Sequence, residues 1–130
     1  MKRNGILVIM AMLMGLLLLS GCGIPQKPEG VLTPDEVFAN PEYNVQVRVY
    51  GRVDYLGELF CSCFTLSIRG KDLLVWYNMM VNDDHSERPS VSVAGLENGD
   101  WAIVTGELKP DGSHHYSLND FWASSIEVLP

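Results

Sequence analysis

The stretch 44–56 constrains the fold more than any other part of this chain. Val45, Val47 and Val49 alternate with polar or aromatic side chains, which is the period of two expected of a strand with one buried face. Gly51 interrupts the strand, and the apolar pattern continues beyond it. A glycine inside a long strand is typical of a bend or a bulge. We therefore predict a bent strand that pairs with a different neighbour at each end, as in a small closed barrel.

The first 22 residues have the pattern of an export signal. Lys2 and Arg3 precede an uncharged apolar run, 6–19, and two small residues lead to Cys22. Such a run is short for a bilayer span, which needs about 20 residues. The sequence Leu19-Ser20-Gly21-Cys22 resembles the lipobox of prokaryotic lipoproteins, in which the signal is cut before the cysteine and the cysteine carries diacylglycerol. The alternative is an uncleaved membrane anchor with a chance cysteine.

These features predict three parts of the chain. Residues 1–21 are a lipoprotein signal peptide, residues 22–30 are the lipidated Cys22 with a flexible tether rich in proline and glycine, and residues 31–130 are one domain. Removing 21 of the 130 residues leaves 109, with 7 basic and 16 acidic side chains and a formal charge of −9. A chain of this length supports one small core. The lipoprotein resemblance implies attachment to the cell membrane on its extracytoplasmic face, and leaves the choice between inner and outer membrane open.

The segment after the tether has the signals of a short helix. Thr33 is placed to cap it, and Glu36 three residues later completes a capping box. Pro41 ends the helix, since proline disfavours a helical residue before it. A helix this short is stable only when packed, so we expect Val37 and Phe38 to contact the barrel.

Four further strands are expected after the first. On the second, Phe64, Leu66 and Ile68 share one face. The connection 78–98 is polar in its centre and is predicted to be a loop with at most a short helix or strand. The strands after 44–56 are predicted at 60–69, 73–77 and 101–108, with a last strand or pair of strands across 114–118 and 121–128.

This order of elements resembles the OB-fold, a five-stranded Greek-key barrel. The residues that carry the resemblance are 47–53 with its glycine, 64–66, the turn and strand 99–106, and 123–126. The likeness is closest to small extracytoplasmic OB-fold domains with a short N-terminal helix. It implies an all-β domain with a small α contribution that binds oligonucleotides, oligosaccharides or proteins, and the fold does not choose among them. The alternative is another small antiparallel barrel or a sandwich.

Cys61 and Cys63 form the one unusual local motif. In a strand, residues two apart share a face with Cα atoms about 6.6 Å apart, which is the far edge of disulfide reach. The pair is therefore either two buried apolar fillers, a structural or redox-active disulfide, or part of a metal site. The spacing of His85, His114 and His115 does not suggest zinc. We expect no metal and no cofactor.

The resemblance also implies a binding face, because OB-folds use their second and third strands with the flanking loops. The candidate residues are Tyr50, Tyr55, Arg69 and Trp76, whose aromatic rings and guanidinium could stack on sugars or bases. The alternative is that Tyr50 and Trp76 belong to the core or lie under the segment 78–98.

No catalytic motif is present in the sequence, so we do not expect an enzyme. The leading hypothesis is a membrane-anchored extracytoplasmic lipoprotein whose domain is a non-catalytic binding or assembly module for a protein or oligosaccharide. The first alternative is binding of single-stranded nucleic acid, which the acidic charge opposes. The second is a redox or metal role for Cys61 and Cys63.

Overall fold

The computed structural model describes residues 25–78, 90–110 and 120–130. The predicted signal peptide, Cys22, all three histidines and the predicted strand segment 114–118 lie outside the described residues. Among the residues described, no helix is long and apolar enough to span a bilayer. Within these described ranges the elements are one helix, α1 (Pro34–Ala39), and five strands, β1 (Gln46–Asp54), β2 (Cys63–Ile68), β3 (Lys71–Trp76), β4 (Trp101–Lys109) and β5 (Asp120–Val128).

The five strands close into a barrel in the order β1, β2, β3, β5, β4. All neighbours are antiparallel except β3 and β5, which pair in parallel through Val75 with Phe121 and Trp76 with Trp122. This order differs from the order along the chain only where β5 inserts between β3 and β4. The predicted all-β class and five-stranded barrel with a short N-terminal helix are confirmed.

Strand β1 bends as the sequence predicts. Residues Gln46 to Arg52 pair with β4, and Arg52 to Asp54 pair with β2. A Cβ on Gly51 would lie 2.8 Å from Cγ of Leu66 and 3.1 Å from the backbone nitrogen of Ser67. Glycine is therefore needed at the bend because the backbone of β2 approaches β1 too closely for a side chain.

The barrel interior holds the hydrophobic core. Phe64 and Leu66 of β2 are fully buried in this core, as the predicted apolar face requires. Ile68, at the end of the strand, is also buried but packs in a second cluster with Val31 and Tyr50. Period-two alternation places the remaining core residues inside in the same way. The other large contributors are Val49, Val53, Leu73, Val75, Val104, Leu108 and Phe121.

Helix α1 begins and ends where the local signals predict. The Oγ1 of Thr33 accepts a hydrogen bond from the backbone N–H of Glu36 at 3.3 Å, and Asn40 is the C-cap. The helix packs against β1, β2 and β3, with Val37 buried in the core. Phe38 is 37% exposed, so the expected packing is complete for Val37 and partial for Phe38.

The connection before β4 is irregular over its described part, residues 90–100. It is attached to β1, where the N–H of Gly99 donates to the carbonyl of Val53 at 2.7 Å and the N–H of Val53 donates to the carbonyl of Asp100 at 2.8 Å. Leu96 is buried in the barrel core. These contacts place the end of the connection beside the turn that follows β1.

Residues 25–31, which we call the strap, lie against the outside of β1. The hydroxyl of Tyr50 donates to the carbonyl of Pro25, and Val31 is buried beside the Tyr50 ring. Next to the strap, Leu32 and β1 exchange two backbone hydrogen bonds of 2.8 Å, to the carbonyl of Arg48 and from the N–H of Tyr50. Within the segment expected to be a flexible tether, Pro25 contacts β1 and Lys27 contacts Glu36 of the helix.

Candidate functional site

A cleft of about 640 Å³ lies on the outer surface of the barrel, over β1 and β2. Its lining combines aromatic rings, both signs of charge, an amide and a hydroxyl. The lining side chains are Arg52 and Asp54 of β1, Tyr55 and Glu58 of the following turn, Ser67, Ile68 and Arg69 at the end of β2, Asp72 of β3, Asn98 of the connection, and Trp101 of β4.

Strand register builds the floor of the cleft. Arg52 pairs with Trp101 on one side and with Ser67 on the other, and Ser67 pairs with Asp72. Residues directly opposite each other across a sheet share a face, so these four side chains form one row across four strands. All four line the cleft.

Asp54 holds the charged part of this row in place. Its Oδ2 accepts hydrogen bonds from Nε and Nη2 of Arg52 at 3.2 and 3.1 Å, and from the Oγ of Ser67 at 3.0 Å. Three donors on one carboxylate oxygen fix the planar guanidinium of Arg52 against the sheet. Asp54 is therefore a positioning residue of the cleft.

Two side chains define the rim. Tyr55 is 53% exposed and has a positive φ of 61°, which turns the chain sharply at the end of β1. Asn98 bonds the backbone of Leu56 in both directions, with its Oδ1 accepting at 2.7 Å and its Nδ2 donating at 3.2 Å. The side chain of Asn98 thus links the turn after β1 to the connection before β4 at the rim of the cleft.

Three charged groups in the cleft have no ion-pair partner among the described residues. Arg69 carries the positive charge, and Glu58 and Asp72 carry the negative ones; all three are exposed. A ligand that carries both hydrogen-bond donors and acceptors would find partners among these groups. The rings of Tyr55 and Trp101 supply apolar contact.

The structure brings together two of the four predicted face residues. Tyr55 and Arg69 both line the cleft. Tyr50, the third candidate, is only 1% exposed, in agreement with the alternative of a buried ring, and the strap lies over it. Tyr50 does not line the cleft, but its ring stacks on that of Trp101, which does.

Trp76 lies away from the cleft. It is half-buried and pairs in register with Cys63 on one side and with Trp122 on the other. The Nζ of Lys109 lies 4.5 Å from the centre of the Trp122 ring. Trp76 thus belongs to an indole surface across β3 and β5, separate from the cleft.

Cys61 and Cys63 are joined by a disulfide, one of the alternatives left open by the sequence. Their Cα atoms are 5.2 Å apart, closer than in a regular strand, because Cys61 lies in a bend and the strand begins only at Cys63. This distance lies within the ordinary range for disulfides. The described residues contain no group of three or more His, Cys, Asp or Glu side chains able to hold a metal ion.

Comparisons with known proteins support the same architecture. No protein-family model matches the sequence, and no curated protein matches it. Solved structures do match. An OBody bound to hen egg-white lysozyme has a TM-score of 0.57 and 19% identity, with coverage of 81% of this chain and 98% of that one.

The barrel is an OB-fold. The hypothetical protein ygiW of E. coli matches with a TM-score of 0.50 and 12% identity, over 82% of this chain and 99% of that one. A chain of the S. pombe Stn1-ten1 complex matches with a TM-score of 0.50 and 11% identity, over 82% of each chain. At sequence identities this low, the structural similarity shows that these proteins share a fold with the present chain and shows nothing further.

Apart from Tyr55 and Arg69, sequence reasoning missed the polar and aromatic side chains of the cleft, which are Arg52, Asp54, Glu58, Ser67, Asp72, Asn98 and Trp101. Asp54 stands two residues after Arg52, so the period of β1 could have placed the two on one face. Trp101 enters the cleft only through its register with β1, and Asn98 only through a turn contact. Neither carries a local signal in the sequence.

Proposed function

We propose that this protein is a lipid-anchored extracytoplasmic binding or assembly module, with the cleft as its binding surface. The observation that carries the binding part is the row of Trp101, Arg52, Ser67 and Asp72, in which Asp54 holds Arg52 and Ser67. Glu58 and Arg69 beside the row have no ion-pair partner among the described residues. Side chains fixed before a ligand arrives lose little conformational entropy on binding. A preorganised polar row beside the exposed ring of Tyr55 and the half-buried ring of Trp101 is suited to binding a ligand.

The anchor rests on the sequence Leu19-Ser20-Gly21-Cys22 after a basic start and an apolar run. Its test is the intact mass of protein purified from membranes of the native host. We expect the mass of residues 22–130 plus diacylglycerol, with or without a further acyl chain. Cys22→Ala should release the protein from the membrane fraction, and a variant that stays fully membrane-bound would contradict the lipid anchor.

The ligand class that we favour is a protein segment or an oligosaccharide. Both present hydrogen-bond donors and acceptors together with apolar faces, as the mixed lining of the cleft requires. Asp54, Glu58 and Asp72 outnumber Arg52 and Arg69, which disfavours a polyanion. Single-stranded nucleic acid is therefore a less favoured ligand than a protein segment or an oligosaccharide. Evidence for it would be that the protein retains oligonucleotides and that this retention weakens as the salt concentration rises.

The cleft can be tested in the envelope of the host. A photo-reactive phenylalanine analogue at Asp72 should cross-link to a bound protein or glycan, because this side chain ends the row on β3. The same analogue at Ser125, an exposed residue of β5 outside the cleft, is the control. The same cross-linked species in equal yield at both positions would contradict the cleft as the binding surface.

A further inference from the structure

The strap fixes where the N-terminal part of the chain meets the barrel. Besides the hydrogen bond from the Tyr50 hydroxyl to the carbonyl of Pro25, the Nζ of Lys27 contacts a carboxylate oxygen of Glu36 at 2.6 Å. Val31 closes the strap with a side chain that is only 2% exposed. The strap is therefore attached to the domain at Pro25, Lys27 and Val31, while Gln26, Glu29 and Gly30 between them are exposed.

This seating shortens the distance between the barrel and the proposed lipid. Only two residues separate Cys22 from Pro25, and three Cα–Cα steps span at most about 11 Å. A tether free up to Val31 would allow about 30 Å instead. The barrel surface beside Pro25 is therefore confined to the neighbourhood of the lipid.

The β2–β3 turn belongs to the same surface. Ile68, the last residue of β2, packs in one cluster with Val31 and Tyr50. The turn beyond it exposes Arg69 and Lys71, which have no ion-pair partner in the described part of the chain. Asp72 follows Lys71 and is also exposed, so these three side chains carry a net charge of only +1, and the placement of this surface depends on the strap contacts and the short link to Cys22.

We propose that the strap and the β2–β3 turn, together called the strap face, are the surface that this protein turns towards the membrane. The inference rests on the proposed lipid anchor at Cys22, and adds to it a fixed orientation of the barrel. One consequence concerns the cleft, because Ile68 and Arg69 line it. The cleft then opens next to the bilayer surface, where a membrane-proximal ligand would reach it.

The two ends of β3 provide a matched test. Lys71 at its start lies beside the strap face, and Asn78 just beyond its end lies about 20 Å away; both are exposed. We would introduce K71C or N78C into the full chain, label each with a small fluorophore, and reconstitute the lipidated protein into phosphatidylcholine and phosphatidylglycerol vesicles. The quencher is a lipid with a nitroxide on its headgroup. Quenching should be several-fold stronger at position 71.

A second pair of variants tests the strap itself. Tyr50→Phe removes the hydroxyl that holds Pro25, and should move the ratio of quenching at the two label positions towards one. Tyr55→Phe removes a hydroxyl from the cleft rim without touching the strap, and should leave the ratio unchanged. Unchanged ratios in both variants would overturn the role of the strap.

The anchor and the orientation fail in different ways. If the purified chain carries no diacylglycerol by mass, both the proposed anchor and this orientation are overturned. If the chain is lipidated and membrane-bound but quenching is equal at the two positions, or stronger at position 78, the orientation alone is overturned.

Discussion

Tyr50 and Trp101 stack with their ring centroids 5.3 Å apart and their planes 26° from parallel. Tyr50 lies under the strap, and Trp101 lines the cleft. One aromatic contact therefore connects the N-terminal segment to the candidate binding surface. A change in the seating of Tyr50 would reach the cleft directly through the indole of Trp101.

The first prediction concerns alkaline pH. Burial raises the pKa of Tyr50 above its usual value of 10.0. The folded protein then keeps the phenol proton at pH values where the unfolded chain has lost it. The contribution of this proton to stability is fully present below about pH 10 and is lost as the pH rises through the folded pKa.

Urea unfolding on both sides of pH 10 measures this effect. The free energy of unfolding of the wild type should fall more steeply with pH than that of Tyr50→Phe, which lacks the group. Tyr55→Phe, which removes the hydroxyl of an exposed tyrosine, is the control, and its free energy of unfolding should fall with pH as steeply as that of the wild type. Equal slopes for the wild type and Tyr50→Phe would contradict the burial of this hydroxyl.

The second prediction concerns Gly106, where the register of β4 against β5 shifts by a residue after Thr105. A Cβ on Gly106 would overlap the carbonyl oxygen of Trp122 and lie 2.8 Å from Cε1 of Phe121. Both atoms belong to a packed strand and cannot move freely, so Gly106→Ala should lower the free energy of unfolding by about 3 kcal/mol. Ser125→Ala, at an exposed position of β5, should change it by less than about 0.5 kcal/mol. Similar values for the two variants would contradict this packing.

Local patterns predicted the elements that depend on neighbouring residues. The alternation around Gly51 predicted the bent β1, and Thr33 with Glu36 predicted the start of α1. The cleft could not be predicted in this way, since its row joins residues from four strands whose register depends on the closed barrel. Trp101 meets Arg52 only because β4 returns beside β1.

Tyr50 shows a second limit of sequence patterns. The alternation places Tyr50 on the outside of β1 and leaves open whether its side chain is exposed or covered. It is buried because the strap returns over it, and the strap has a single well-buried apolar residue, Val31, and no periodic pattern. A covering segment of this kind is visible only in three dimensions.

The third prediction concerns the cap of α1. The Thr33 hydroxyl accepts the N–H of Glu36, a backbone group that a short helix otherwise leaves unpaired. Thr33→Ala should therefore cost about 1 kcal/mol of stability in urea unfolding. Thr33→Ser keeps the hydroxyl and should stay close to the wild type. If the two variants lose the same amount, the cap does not contribute.

The fourth prediction concerns the disulfide between Cys61 and Cys63. Reduction should raise the intact mass by two hydrogen atoms, and a chain with two free thiols before reduction would contradict the bond. The bond closes a loop of only three residues, so its contribution through chain entropy is about 1–2 kcal/mol. The double variant Cys61→Ser, Cys63→Ser should lose about this much and still fold.

The redox alternative for this pair makes a separate prediction. A redox-active bond should open reversibly in a mild dithiol buffer while the barrel stays folded, as followed by thiol counting and circular dichroism. A structural bond should resist the same buffer. Cys63 is fully buried and Cys61 is partly exposed, so an attacking thiolate would reach Cys61 first.

The last prediction concerns the ion pair at the centre of the cleft. Arg52 is about half exposed at its side chain and Asp54 about a quarter, so solvent screens their attraction. A double-mutant cycle with Arg52→Gln and Asp54→Asn should give a coupling of about 1 kcal/mol or less in urea unfolding. Both variants should then fold, and any loss of ligand binding in them would come from the cleft. A screened surface pair cannot contribute several kcal/mol. A coupling of that size would therefore contradict solvent screening of this pair and make it part of what stabilises the barrel.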